Sequence, residues 1–510
     1  MHKQYLSIIA GILLFCNISF GQTSPKRELR AVWISTVFNT DFPSKPGLSG
    51  NAQKLEIINL LNFHQRNGMN AVIFQVRPAA DAFYNSKYEP WSKWLTGKLG
   101  NAPQPYYDPL AYFIDEAHKR DMEFHAWFNP YRAWMDTTTT PDDSMHVIKQ
   151  HPEWFVTYGN RRYFDPGIPA VRSWVVKVVM DVVQHYNVDA IQFDDYFYPY
   201  KIADADFPDN NSYILYNNGF TNKADWRRNN VDMVIQLLHD SIKAAKPWVK
   251  FGISPFGIYK NQSTDSDGSA TNGMSNYYDL YADILKWLRN DWIDYVAPQL
   301  YWHIGNKNAD YQVLVDWWSK HLYGKHLYIG HAVYQADSTA KVADWRSPSQ
   351  LPKQFRINRK NPQVRGSVFF SSASFAKNPL GFNDSLRYNF YNKPAFLPEM
   401  KWKDNVPPEP PDVHASKFES NILLSWKNQD EAKFPNDTAV FWVVYKFKGK
   451  VAGSIDDVAN IYKVVKKPYI VLPRKRWEFF REKYTFVVTA FDRLQNESKL
   501  SNLVIVKLKE

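Results

Sequence analysis

The 510-residue sequence is poor in cysteine and in long apolar runs. Its single cysteine, Cys16, lies in the one long apolar stretch, Tyr5 to Ile18, which follows a basic residue and is followed by Ser19-Phe20-Gly21. This pattern is typical of a cleavable secretory signal peptide, residues 1–21. We therefore expect an exported chain that begins near Gln22 and has no disulfide, no thiolate metal site and no cysteine nucleophile.

Two further absences indicate the compartment. No later stretch reaches about 18 apolar residues, so no transmembrane segment is expected. A lipidated cysteine is preceded by a small residue, whereas Phe15 precedes Cys16, and this argues against a lipoprotein. An exported chain without disulfides is more typical of a bacterial periplasm than of a eukaryotic secretory route. The sequence predicts a periplasmic protein.

Charge and composition limit the kinds of partner that the chain is expected to bind. Charged residues make up 22% and hydrophobic residues 45%, as in folded globular proteins. The chain has 33 Phe, 31 Tyr and 19 Trp, an excess that suits a sugar or another flat ligand. The net charge is +11, and residues 411–510 hold 18 basic against 12 acidic residues. This basic tail is either a contact for anionic envelope polymers or an ordinary solvated surface. No nucleic-acid recognition motif is present, so nucleic acid is not an expected partner.

The fold class follows from eight short runs rich in β-branched and aromatic residues, which alternate with segments of helical periodicity. The runs are Ala31–Ser35, Ala71–Arg77, Glu123–Asn129, Ala190–Asp194, Lys250–Ser254, Tyr295–Tyr301, Leu327–Val333 and Ser367–Ser371. Alternating strands and helices without hairpin signals predict a parallel sheet, and eight repeats predict a (β/α)8 TIM barrel, an α/β fold, over residues 22–400.

A second module is predicted after the barrel. Residues 401–411 are rich in proline and form a stiff linker. Residues 412–510 then contain short alternating strands, the pattern of a small all-β sandwich. Trp426, Tyr445 and Tyr484 in their sequence contexts resemble a fibronectin type III module. The resemblance implies a spacer or a module that docks onto the envelope or a protein, with direct ligand binding as the alternative.

The active site of such a barrel lies at the carboxyl ends of its strands, where this sequence places many polar and aromatic residues. We interpret these residues as substrate-binding: Gln75, Arg77, His125, Trp127, Asn129, Tyr131, Gln192, Gln299, Tyr301 and Trp302. Amides and Arg hydrogen-bond hydroxyl groups, and aromatic rings cover the apolar face of a sugar. The predicted ligand is therefore a polysaccharide, with no cofactor and no metal ion.

Four carboxylates are the candidates for catalysis. Asp194 is the first candidate, as nucleophile or general base, with Asp81 or Glu89 as the proton donor. Alternate residues of a strand share a face, so Gln192 and Asp194 are expected to point into the mouth and Asp195 away from it. Asp195 is then an orienting residue or a helix cap, and the two adjacent aspartates do not form one catalytic pair.

Some of these residues also have structural interpretations. Trp127 could belong to the barrel core, and Arg77 could form a buried ion pair with Asp194. His125 is interpreted as a hydrogen-bonding partner of the substrate or of Asp194, because no second histidine lies at metal-ligand spacing from it.

An ordered series of motifs between residues 30 and about 390 resembles the glycosyl hydrolase-like 10 family of exported bacterial TIM-barrel proteins. The motifs include Gln75-Val-Arg77-Pro-Ala-Ala-Asp81, His125-Ala-Trp127-Phe-Asn129-Pro-Tyr131-Arg132, Phe193-Asp194-Asp195-Tyr196 and Pro298-Gln299-Leu-Tyr301-Trp302. The resemblance implies a glycoside hydrolase that cleaves peptidoglycan glycan strands stripped of peptides, and it supports the region of Asp194.

Two other functions stay open at this point. A metal-dependent polysaccharide deacetylase would need paired histidine ligands, and the available pairs, His146/His151, His321/His326 and His326/His331, are five residues apart and on different helical faces. A noncatalytic glycan-binding envelope protein would keep the aromatic cleft and release no reducing ends. An assay for reducing ends separates these functions.

Overall fold

The computed structural model describes residues 24–427, 438–473 and 482–508. The predicted signal peptide, 1–21, lies outside the described residues. Eight parallel strands close into a barrel, and two antiparallel sheets follow, so the predicted fold class is confirmed. Among the helices of this part of the chain, none has the length and apolar character needed to cross a membrane.

The described residues before 400 form eleven strands. In chain order these are β1 (Leu29–Ile34), β2 (Ala71–Arg77), β3 (Glu123–Phe128), β4 (Arg132–Trp134), β5 (Phe155–Tyr158), β6 (Arg161–Phe164), β7 (Ala190–Phe193), β8 (Lys250–Ile253), β9 (Tyr295–Val296), β10 (His326–Ala332) and β11 (Val364–Phe370). The barrel runs β1, β2, β3, β7, β8, β9, β10, β11 and back to β1. All eight predicted barrel strands are present. The sixth, β9, is shorter than predicted and continues only as isolated bridges at Gln299.

Strands β4, β5 and β6 were not predicted. They form a small antiparallel sheet between β3 and the next barrel helix, with a tight turn at Gly159 in the left-handed region (φ 60°). Each of these strands has three or four residues, too few for a recognisable alternation in the sequence. The inserted sheet brings Arg132 to the barrel mouth, where it lies over the ring of Tyr196.

The helices cover the outside of the barrel. They are α1 (Gly50–Arg66), α2 (Lys93–Thr96), α3 (Pro109–His118), α4 (Val147–Gln150), α5 (Pro169–His185), α6 (Asn210–Tyr216), α7 (Lys223–Ala245), α8 (Asn276–Asp279), α9 (Ile284–Arg289), α10 (Tyr311–Ser319), α11 (Gln350–Lys360), α12 (Ser372–Ala376) and α13 (Phe382–Ser385). Side-chain caps define the first turn of several helices. The side chain of Ser49 accepts a hydrogen bond from Ala52 N at the start of α1, and that of Asp108 accepts one from Ala111 N at the start of α3.

The alternation of side chains along each strand decides what reaches the barrel interior. Trp33, Ile73 and Tyr295 belong to the cluster inside the barrel, whereas Phe74 and Phe193 pack against the helices. This parity fails at the end of β2, where the register with β3 shifts between Gln75 and Arg77.

The chain after residue 411 forms two antiparallel sheets with a shared core. The strands are β12 (Asp412–Phe418), β13 (Asn421–Lys427), β14 (Phe441–Lys448), β15 (Ile461–Val465), β16 (Tyr469–Leu472), β17 (Glu482–Phe491) and β18 (Val504–Leu508). One sheet runs β12, β13, β16 and the other β15, β14, β17, β18. Trp426 of the first sheet and Trp442 of the second pack together, with ring centroids 6.1 Å apart. We call this pair of sheets the sandwich.

The sandwich packs against the end of the barrel where the strands begin, which we call the base. Phe396 leaves the barrel and joins Tyr445 and Phe491 in an apolar cluster. Lys26 forms an ion pair with Glu497 at 2.7 Å. The proline-rich linker is tied down as well, since Trp402 and Lys403 both bond to Asp294 at 2.9 Å. The mouth, where the strands end, lies at the opposite end of the barrel.

Candidate active site

Asp194 lies just beyond the end of β7, buried in the mouth with 5% of its surface exposed. Its carboxylate accepts hydrogen bonds from Trp127 Nε1 at 3.1 Å and from the amide of Asn129. Both donors come from β3 or the residue after it, as the alternation of β3 predicts. The polar edge of Trp127 therefore faces the reacting region while its ring packs inside the barrel.

Asp195 lies in the same mouth, which the sequence did not predict. It is 1% exposed and accepts from Tyr200 Oη at 2.5 Å and from Gln299 Nε2 at 3.0 Å. The expectation that it points away from the mouth was wrong, because β7 ends at Phe193 and the chain has left the strand before the two aspartates. They are therefore neighbours in one site.

The environment of the pair raises its proton affinity. The pKa of Asp194 is raised to about 7, because the raising effects of burial and of the charge of Asp195 together outweigh the lowering effect of the charge of Arg132. Burial also raises the pKa of Asp195, whereas the hydrogen bonds from Tyr200 and Gln299 lower it. Two buried carboxylates side by side resist losing both protons, so the pair is placed to exchange a proton near neutral pH.

Three amide side chains in the interior each use one end on the protein and leave the other without a partner. Gln75 Oε1 accepts from Thr36 N at 2.9 Å and Gln192 Oε1 accepts from Tyr295 Oη at 3.0 Å, whereas both Nε2 atoms are buried and unpaired. Asn129 bonds to Asp194 through its amide nitrogen, and its Oδ1 is unpaired. Unpaired buried amides are costly unless a ligand completes them, and sugar hydroxyls can do so.

His125 lies below the mouth and not in it. Its Nδ1 is 2.9 Å from Tyr295 Oη and its Nε2 is 3.1 Å from Glu123, which also pairs with Lys250. Both ring nitrogens are thus used within the barrel interior. The interpretation of His125 as a partner of substrate or of Asp194 was wrong, because His125 is only the third residue of β3 and lies too near the base.

Arg77 and Glu89 form a buried ion pair outside the barrel wall. Arg77 Nε and Nη2 bond to the two oxygens of Glu89 at 2.7 and 2.6 Å, and Trp174 of α5 lies 3.4 Å from Glu89 Oε1. The register shift pairs Arg77 with Phe128, which faces the helices. The predicted pairing of Arg77 with Asp194 is not found, and Arg77 reaches the mouth only through the backbone, where its Nη1 donates to the carbonyl oxygens of Asn129 at 2.5 Å and Pro130 at 3.2 Å. Glu89 is bonded at both oxygens by Arg77.

Asp81 organises the loop after β2. It accepts from Ala79 N at 2.9 Å and from the side chain of Ser92, both in the same loop. Burial raises its pKa to about 7.

Tyr131, which was expected to bind substrate, is a buried core residue. It is 2% exposed, and its hydroxyl group has no hydrogen-bond partner among the described residues.

Aromatic rings form two walls above the aspartates. Tyr196 stacks on Tyr200 with ring centroids 5.1 Å apart, Tyr200 meets Phe256 edge-on, and Phe256 meets Trp302 edge-on at 5.4 Å. Stacked and exposed rings of this kind cover the apolar faces of sugars.

The second wall contains Tyr301, which stacks on Phe370 at 6.2 Å and meets the half-exposed Tyr334 at 6.0 Å. Burial raises the pKa of Tyr301 most, and the neighbouring Tyr334 and the charges of Asp195 and Asp194 add smaller raising effects. Phe256, Phe370 and Tyr334 were missed as site residues, although each lies at or just after the end of a predicted strand.

No group of three or more His, Asp or Glu side chains in residues 24–427, 438–473 and 482–508 is arranged to hold a metal ion.

The site and fold can be compared with known proteins. The family model described as glycosyl hydrolase-like 10 matches residues 28–347. The chain is 44% identical over 502 residues to glycosyl hydrolase YngK of Bacillus subtilis, covering 97% of each chain. It is 40% identical over 366 residues to glycosyl hydrolase DigH of Escherichia coli K12, covering 68% of this chain and 83% of that one. Among solved structures, the PgaB (BpsB) glycoside hydrolase domain of Bordetella bronchiseptica matches with a TM-score of 0.45 at 12% identity, covering 71% of this chain and 99% of that one.

Proposed function

Because the chain belongs to the glycosyl hydrolase-like 10 family, we propose that its barrel mouth hydrolyses glycosidic bonds of a cell-envelope glycan, with peptidoglycan glycan strands as the substrate. The family makes the chain a glycoside hydrolase, and its substrate is therefore a polysaccharide. The proposed export by residues 1–21 would bring the protein to the periplasm, where such a glycan lies.

Asp194 is the proposed acid–base residue. It keeps a proton up to about neutral pH because it is buried beside Asp195, so it can protonate the oxygen of the leaving sugar. Asp195, which accepts hydrogen bonds from Tyr200 and Gln299, supplies the negative charge that stabilises the positive charge developing at the anomeric carbon. Water then adds its hydroxyl group to that carbon, and its second proton returns to Asp194.

The remaining mouth residues position the sugar. The free ends of Gln75, Gln192 and Asn129 are proposed to bond to sugar hydroxyl or acetamido groups. The two aromatic walls are proposed to hold sugar rings on either side of the bond that breaks. Two groups of rings near the aspartates can hold more than one sugar of a chain, which suits the proposed endo-acting cleavage.

The observation that carries the proposal is the buried pair of adjacent aspartates at the carboxyl ends of the barrel strands. The sandwich is proposed to dock the enzyme onto the envelope or a protein partner, and its resemblance to a fibronectin type III module supports this role.

The purified mature chain from Gln22 tests the proposed function. It is incubated with intact peptidoglycan, with peptide-stripped glycan strands and with an unrelated neutral polysaccharide, and new reducing ends are measured. We expect release from the stripped strands without added metal. Binding without new reducing ends would indicate a glycan-binding protein, and release of acetate would indicate a deacetylase. Either result contradicts the proposal.

A further inference from the structure

A cavity lies at the base of the barrel, at the opposite end from the aspartates. Its volume is about 690 Å³, within the range of small-molecule sites. Its walls are the loops before β2, β3 and β7, the segment 391–397, and the sandwich residues around Phe441 and Arg493. Interfaces between modules are frequent locations of ligand sites. We call it the base cavity.

The base cavity carries uncompensated positive charge. Arg66, Arg387 and Lys393 line it and are exposed, and none of the three has an acidic partner within the described parts of the chain. The other cations of the lining are neutralised: Lys466 pairs with Asp121 at 2.7 Å, Arg493 with Asp189 at 3.3 Å and Arg120 with Glu116 at 2.7 Å. Three like charges around one concave surface attract an anion.

A buried guanidinium in the same wall is incompletely bonded. Arg30 is 1% exposed, donates from Nε to Glu28 at 2.8 Å and from Nη1 to the carbonyl of Lys393 at 2.8 Å, and lies 4.2 Å from the ring centre of Tyr391. Its Nη2 is buried without a partner. An unpaired buried donor of this kind is costly, and an anion in the wall nearby offsets part of that cost.

The lining of the base cavity also contains apolar side chains. Phe441 and Val440 of the sandwich and Phe396 of the connecting segment also line the cavity. A ligand that fits can therefore combine anionic groups with a carbon skeleton. The volume admits a molecule with several anionic groups and a small carbon skeleton.

We propose that the base cavity binds a small polyanion that carries two or three phosphate or carboxylate groups. The ligand bridges Arg66 and Lys393 of the barrel side and contacts the sandwich, so its binding tightens the association of the two modules. The site is separate from Asp194 and does not depend on the proposed glycosidase reaction.

The test uses the full mature chain and isothermal titration calorimetry at constant ionic strength. Inorganic pyrophosphate and citrate are the two probes, and they distinguish phosphate from carboxylate recognition. The variant Arg66→Gln/Arg387→Gln/Lys393→Gln removes the uncompensated charges. The matched control Lys307→Gln/Lys320→Gln/Lys341→Gln removes three exposed charges elsewhere on the surface. Both sets of positions are exposed, so folding should be preserved.

We expect one saturable site per chain for at least one probe, weakened about 10-fold or more by the cavity variant and unchanged in the control. Binding should persist in Asp194→Asn, because the aspartate lies at the other end of the barrel. Equal weakening in both triple variants would mean general electrostatic attraction. That outcome, or the lack of saturable binding for both probes, would overturn the proposal.

Discussion

Asp194 and Asp195 are buried side by side at the barrel mouth, so the proton affinity of each depends on the charge of the other. This coupling makes the pair suitable for acid–base chemistry near neutral pH. The other two acidic candidates are less suited to this chemistry, because Glu89 forms an ion pair with Arg77 and Asp81 accepts hydrogen bonds within its own loop.

The first prediction concerns pH. In the free enzyme Asp194 loses its proton as pH rises through about 7, so kcat/KM should fall through that value if the protonated form is the donor. Asp195→Asn removes the neighbouring negative charge and should lower the pKa of Asp194, moving the falling limb to lower pH. Initial rates from pH 5 to 9 for both proteins provide the measurement. A rate that rises through pH 7 would mean that Asp194 acts in its ionised form.

The second prediction separates Glu89 from catalysis. Glu89→Gln leaves the buried Arg77 guanidinium without its charge partner and should cost about 3–5 kcal/mol in the free energy of unfolding. The turnover of the folded protein should be nearly unchanged. Urea unfolding and kcat are measured on the same preparation. If Glu89→Gln keeps its stability and loses turnover, then Glu89 is the proton donor that the sequence suggested.

At the scale of secondary-structure elements, the sequence predicted the strands better than the directions of their side chains. The eight barrel strands were predictable because each is a compact run of β-branched and aromatic residues. A one-residue shift at the end of β2 leaves such a run unchanged, and yet it turned Arg77 from the mouth to the helices. Similarly, β7 stops at Phe193, so strand parity does not apply to Asp195.

The depth of a residue in the barrel was also not predictable from parity alone. His125 and Trp127 share a face of β3, but Trp127 lies one layer nearer the mouth and bonds to Asp194. His125 instead belongs to a polar column that runs through Tyr295 to Gln192. Gly252 allows that column, because a Cβ at this position would lie 2.0 Å from the ring of Tyr295.

The third prediction tests this column. Tyr295→Phe removes the hydroxyl that donates to Gln192 Oε1, so the free end of Gln192 loses its fixed orientation. We expect KM to rise by about 3- to 10-fold, since one hydrogen bond contributes about 1 kcal/mol. Tyr328→Phe is the matched control: it is also buried inside the barrel, but its hydroxyl bonds to His326. A similar rise of KM in both variants would show that the effect is merely structural.

At the scale of the whole molecule, the barrel uses its two ends differently. The mouth holds the aspartates and the aromatic walls, whereas the base is covered by the sandwich through Phe396, Glu497 and Arg493. The sandwich therefore contributes to stability at the base without reaching the reacting atoms. Its docking role in the envelope stays a prediction.

Truncating the chain before Pro411 removes the sandwich and leaves the residues of the mouth in place. This truncation exposes Phe396 and removes Glu497 and Arg493, which form ion pairs with Lys26 and Asp189. The thermal midpoint of unfolding should therefore fall by several degrees. The kcat on short soluble glycans, measured below that midpoint, should stay within about 2-fold, because the mouth is untouched. Retention on insoluble peptidoglycan should weaken. A large loss of kcat in the folded truncated chain would show that the sandwich supports the site.

The central claim is that Asp194 drives glycosidic cleavage at the mouth, and the turnover of Asp194→Asn on peptide-stripped glycan strands tests it most directly. We expect kcat to fall by about 10³-fold or more, equivalent to about 4 kcal/mol, with glycan affinity within a few-fold of the original. Asp81→Asn is the matched control, since Asp81 is equally buried with a pKa raised to about 7 but bonds within its own loop. Asp194→Asn with near-normal turnover, beside an inactive Asp81→Asn, would contradict the account.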